Sequence, residues 1–148
     1  MLDHQKMAFT KARAESAKAL LSPGDTLYVY TSRSCFHNPT RDRGRVIGEA
    51  TVRSKVTRRS RSVIIGNREY TDDCSIAFRR LAPFRTGVEL APIVESLDAF
   101  RDGQWWPFKL RRTLLALSNR DAARLKAALK RVTWEDTVRA RLTYTNRG

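Results

Sequence analysis

Cys35 and His37 are the nearest thing in this chain to a nucleophile beside a base. They stand two positions apart in a loop, and no third group that would orient the imidazole is visible. A thiolate mechanism is therefore not expected. Cys35 and Cys74 form no CxxC or Cys/His cluster, so they read as small reduced thiols and not as a zinc site. Asp72 and Asp73 beside Glu69 carry enough charge for a divalent ion, but an acid-capped turn is the commoner reading. No metal and no cofactor is expected. What the chain does offer is guanidinium and aromatic surface. Between Arg41 and Arg61 there are eight basic residues (Arg41, Arg43, Arg45, Arg53, Lys55, Arg58, Arg59, Arg61) against two acids, Asp42 and Glu49. Tyr28, Tyr30 and the pair Trp105–Trp106 add rings. Such residues hold phosphates and stack on bases without making or breaking bonds.

The whole composition agrees. A formal charge of +14 over 148 residues favours a polyanionic partner, of which nucleic acid is the commonest. No apolar run approaches the roughly 20 residues of a membrane span. Residues 1–18 are too polar for a secretory signal, so a cytoplasmic location is expected. The length suits one domain over 1–148, with its core over about 7–132 and a loose tail at 143–148.

These side chains need a scaffold, and hydrophobic periodicity supplies one. Lys6–Leu21 is alanine-rich and predicts a helix with Phe9, Ala12, Ala19 and Leu20 near one face. Ser22-Pro23-Gly24-Asp25 ends it. A strand follows with Leu27 and Val29 opposite Tyr28 and Tyr30, and a second opens at Arg45 with Val46, Gly48, Ala50 and Val52 opposite Ile47, Glu49 and Thr51. The loop between them, Arg33 to Gly44, is rich in arginine. Thr57–Arg61 reads as a basic hairpin tip, Val63–Ile65 as a short strand, Gly66-Asn67 as a turn and Cys74–Phe84 as a strand with Ile76 and Phe78 inward. A short helix is expected over Pro92–Phe100 and a strand over Leu110–Leu117. Ser118-Asn-Arg-Asp121 has the form of a helix N-cap, and Thr133–Asp136 repeats it before a core stripe at Trp134, Val138 and Leu142. The fold class is α+β, most plausibly a small, mixed, partly open β-barrel with peripheral helices.

Taken in order, Gly24-Asp25, Tyr30-Thr-Ser32, Gly44-Arg-Val-Ile-Gly-Glu-Ala50, Leu81-Ala-Pro83, Gly87-Val-Glu-Leu90, Trp106 and Leu110-Arg-Arg112 resemble the EVE-type branch of the PUA-like superfamily, relatives of the YTH and ASCH domains. The resemblance implies a barrel with a concave pocket for one base, in a non-catalytic reader of RNA or DNA whose base is modified or not. It implies Tyr30, Thr31 and Ser32 at the pocket's strand wall and Trp105 and Trp106 on its aromatic side. Arg111 and Arg112 would lie nearby, with Arg33, Arg41, Arg43, Arg45, Arg58 and Arg59 on phosphates. Family members usually open with a strand that leads into the barrel, whereas this sequence reads as helix at Met7-Ala-Phe9. A barrel short of that strand would leave an unpaired edge for self-association or a partner subunit. Two other functions are compatible with the residues. One is ASCH-like hydrolysis of RNA or an amide using Lys55, Tyr30 or an acid of Asp72–Asp73. The other is a targeting subunit of a defence or restriction system whose nuclease lies on another chain.

Overall fold

The computed structural model describes residues 2, 4–33, 35, 43–101 and 105–145. Six strands are paired in the order β1-β5-β3-β2, with β4 on β5 and β6 on β3. They are β1 Lys6–Phe9, β2 Thr26–Thr31, β3 Arg45–Val52, β4 Thr57–Ile65, β5 Arg68–Leu81 and β6 Val88–Glu89. The helices are α1 Lys11–Leu20, α2 Trp106–Lys109, α3 Asn119–Lys130 and α4 Thr137–Thr145, with 3₁₀ turns at Ala91–Ser96 and Asp98–Phe100. The protein is thus α+β, and its strand pairs are antiparallel where a mixed sheet was expected. No described helix is long and apolar enough to cross a membrane. The chain forms two compact units, residues 1–27 with 50–79 and residues 28–49 with 80–148.

In the first unit, Lys6–Phe9 is a strand and not the start of the helix. Its residues pair with Asp72–Ser75 of β5, and Phe9 is almost fully buried. Non-local pairing overrides helix propensity here, because a strand beside β5 satisfies main-chain groups that a helix would leave at its own frayed end. The helix therefore begins at Lys11, and its buried face is Ala14 and Ala17; Ala12, Ala19 and Leu20 are exposed. Gly24, at φ +97°, makes the turn into β2, and its N–H donates to Val52 O at 2.8 Å. β4 is one strand of nine residues with an irregularity between Arg58 and Val63, so the basic run lies on a strand and not at a hairpin tip. The tip is Gly66-Asn67. With φ +60° at Gly66, it matches the glycine-first two-residue hairpin turn.

The second unit is built on Val46, Leu90, Val94, Leu97, Phe100, Leu125 and Leu129, with Tyr28, Tyr30, Trp106, Leu115 and Leu117 packed against them. β3 is buried on both faces from Val46 to Val52, so its expected alternation of inside and outside is absent. Leu110–Leu117 is not a strand. The N–H groups of Arg111 and Arg112 donate back to Phe108 and Lys109, so the segment prolongs α2 as a turn. The Ser118 cap forms as read, its hydroxyl accepting from Asp121 N–H at 3.1 Å. The stripe on α4 is reversed. Ala140 and Tyr144 are buried, whereas Trp134, Val138 and Leu142 are 38%, 60% and 53% exposed. Tyr144 donates its hydroxyl to Ala82 O at 2.9 Å, so residues 143–145 of the expected loose tail belong to α4, and 146–148 lie outside the described residues.

Candidate nucleic-acid interface

The aromatic side of the site is organised by α2. Pro107 sits in its first turn, where the missing N–H costs nothing, and Lys109 Nζ donates to Ala99 O at 2.9 Å. Trp105 is the residue before the helix, with backbone angles outside the helical range (φ −104°, ψ 10°), and Trp106 is its first residue; one turns out and the other in. Trp106 is half-buried and meets Phe100 edge to face at 6.3 Å. Trp105 is 61% exposed, with Phe108 beside it at 5.5 Å between ring centroids and also exposed. The Arg111 guanidinium lies 4.5 Å over the Phe108 ring. Spacings of three residues bring Trp105, Phe108 and Arg111 into one exposed stack, and this is the spacing at which side chains on a helical turn meet. Phe108 was not among the sequence-derived residues; its i+3 relation to Trp105 was the signal.

On the strand side, Tyr28 and Tyr30 are half-buried and pack on the same hydrophobic cluster as Trp106. Burial raises the pKa of both hydroxyls, and the charge of Glu49 raises that of Tyr28 further, so both stay protonated at neutral pH. Gly44 lies against the Tyr30 hydroxyl so closely that any Cβ there would collide with it. Thr31 directs its hydroxyl to Arg45 O at 3.4 Å, which occupies it in strand pairing. Ser32 is exposed. The structure thus brings Tyr30 and Trp106 to one cluster, while Trp105 joins the outer stack.

The arginines divide by what already holds them. Arg45 donates to Arg85 O and pairs with Glu89 at 3.4 Å, and Arg43 pairs with the other oxygen of Glu89 at 3.3 Å. Arg59 is ion-paired with Asp73. Arg58 and Arg112 are exposed, as are Arg111, which lies over Phe108, and Arg33, which has an interaction of its own. Arg41 lies outside the described residues, as do Phe36, His37, Asn38 and Asp42. Cys35 is exposed, and Cys74 is buried, which pushes its thiol pKa up.

Buried carboxylates are what sequence reading missed. Asp72 and Asp73 lie on β5 and not in a turn. Asp72 accepts from the Thr71 hydroxyl at 2.6 Å, with Lys18 Nζ 3.3 Å away, and Asp73 has Lys6 and Arg59. Asp121, fully buried, accepts from the N–H groups of Asp98 and Ala99 at 2.7 and 2.9 Å. Glu49 is 4% exposed, and its Oε2 has no hydrogen-bond partner among the described residues. A polar residue inside an apolar strand gives no hint of its depth when charge alone argues for the surface.

No protein-family model matches this chain, and no curated protein matches it.

Proposed function

We propose that this chain is a non-catalytic nucleic-acid reader of the EVE type. In this reading it is a small, partly open PUA-like barrel acting in the cytoplasm, holding RNA or DNA and admitting one base, modified or not, beside Tyr30 and Trp105. The observation that carries the reading is the exposed Trp105–Phe108–Arg111 stack. Two large rings in water are unfavourable for a protein that does not use them, and although they are inclined by 50° to each other, the exposed Trp105 ring offers a π-face to an unstacked base while the Arg111 guanidinium over Phe108 offers a charge to its phosphate. The charge of +14 supports a polyanion. Tyr28 and Tyr30, kept neutral by burial, offer hydroxyls to a base edge, and Glu49 beside Tyr28 offers an acceptor. In this reading the opening strand β1, paired with β5, would correspond to the strand with which family members enter the barrel.

The reading assigns no catalytic step. Asp72 and Asp73, the acids a hydrolytic mechanism would draw on, are engaged by Lys18, Lys6 and Arg59. Its test is binding to a panel of single-stranded oligonucleotides, RNA and DNA, each carrying one modified base. The proposal expects one base to stand out, and Trp105→Ala to weaken that oligonucleotide more than the unmodified strand. Equal loss on both would reduce the site to nonspecific stacking.

A further inference from the structure

The strongest surface feature outside that site belongs to the first unit. β4 and β5 meet as a two-stranded ribbon, with Val63, Ile64 and Ile65 opposite Tyr70, Glu69 and Arg68. All ten residues from Ser60 to Glu69 are exposed, although strand pairing at Val63–Ile65 gives them two opposite faces. Neither face of the ribbon's end is covered by the described residues. Ile64 and Ile65 are 73% and 62% exposed, and by alternation they stand on opposite faces. An exposed aliphatic edge strand is a liability that proteins ordinarily blunt or cover.

Charge tells what fits it. From Arg53 to Tyr70 there are six basic residues (Arg53, Lys55, Arg58, Arg59, Arg61, Arg68) and one acid, Glu69. Arg59 is tied to Asp73 at the ribbon's base, whereas Arg53, Lys55, Arg61 and Arg68 make no ion pair among the described residues. We propose that this ribbon enters the major groove of double-stranded DNA. Ile65, on the face it shares with Val63 and Arg68, lies against base edges and thymine methyl groups, and Arg58, Arg61 and Arg68 contact the flanking phosphates.

The dimensions agree. Three paired residues reach about 10 Å, comparable to the depth of a B-form major groove, whose width of about 12 Å admits a two-stranded ribbon. The deep, narrow major groove of an RNA duplex excludes the ribbon. This inference stands on the first unit alone and does not depend on base reading by Tyr30 and Trp105.

The test is binding of the full chain to a thymine-rich DNA duplex, the same sequence as an RNA duplex, a single strand, and vesicles of anionic phospholipid, followed against salt. Arg61→Gln with Arg68→Gln should flatten the log–log salt slope for duplex DNA by about 0.9 for each phosphate contact removed. Ile64→Ser with Ile65→Ser should lower duplex-DNA affinity about tenfold with the slope unchanged. Single-strand binding should keep its parental value in both variants. Replacing thymine by uracil in the DNA should weaken the parent and leave the isoleucine variant unaffected. Parental duplex binding by both variants would overturn the proposal. So would equal affinity for the RNA duplex, or isoleucine-dependent binding to vesicles.

Discussion

The ribbon tip of the first unit and the Asp98–Asp121 corner of the second are both rich in charge, and they treat it in opposite ways. At the corner every charge is occupied. The Ser118 hydroxyl accepts from Asp121 N–H and donates to Asp98 Oδ2 at 2.9 Å, Asp98 also takes Arg101 and Arg120, and Asp121 closes on two backbone N–H groups. At the tip, Arg61 and Arg68 point to no acid among the described residues. The corner is therefore architecture: its charges hold α3 against the preceding 3₁₀ turn. Charges without internal partners add little to the fold and are the ones left for a ligand.

The largest stability effect should come at the corner. Asp121→Ala leaves the N–H groups of Asp98 and Ala99 buried without acceptors, a loss of about 2–4 kcal/mol that denaturant unfolding would read. A loss below 1 kcal/mol would mean that water replaces the carboxylate and that the corner is less closed than described. Ser118→Ala removes a helix cap and a hydrogen bond to Asp98, for a loss of about 1–2 kcal/mol by the same measurement. Glu49→Gln sharpens the contrast from the other side. Its Oε2 has no partner to lose among the described residues, so neutralising it should leave stability unchanged or raise it by about 1 kcal/mol.

Acid should weaken both units in a defined direction. The Thr71 hydroxyl, followed by Lys18, holds the Asp72 pKa below the usual carboxylate value, and the Ser118 hydroxyl, followed by Arg101, does the same for Asp98. A folded pKa below the unfolded one gives stability that is complete above the unfolded value, near 3.9, and is lost as pH falls through the folded value. The thermal midpoint should therefore drop below about pH 4, and the drop should shrink in Asp72→Asn and Asp98→Asn. The smallest effect belongs to the tip. Arg61→Gln with Arg68→Gln should change stability by less than about 0.5 kcal/mol.

The same division explains what could be read in advance. Local signals were legible: the Ser118 cap, the Gly66-Asn67 turn and the start of β3 at Arg45 all stand where residue chemistry places them. Elements fixed by distant partners were not. Lys-Met-Ala-Phe is a strand only because β5 lies beside it, and nothing within those four residues says so. On α4, the spacing of Trp134, Val138 and Leu142 gave the period of a buried stripe without its direction. Ala140 and Tyr144 took the inward face because the Tyr144 hydroxyl reaches Ala82 O and its ring meets Phe84 at 5.5 Å. Trp134 instead exchanges backbone hydrogen bonds with Leu81 and carries the Arg139 guanidinium at 5.0 Å over its exposed ring. At the candidate site, Tyr30 and Trp106 were recognisable as residue types. Their meeting on one cluster, and the depth of Glu49, depended on how β3 is buried.

The central claim is that the exposed ring stack serves an unstacked base. It is tested most directly by titrating Trp105→Ala and the parent chain with the oligonucleotide that the parent prefers and with its unmodified counterpart. The account predicts about five- to hundredfold weaker binding of the preferred strand, the worth of one stacked base. It also predicts a smaller loss on the unmodified strand and unchanged thermal stability. Undiminished binding of the preferred strand by a folded variant would contradict it.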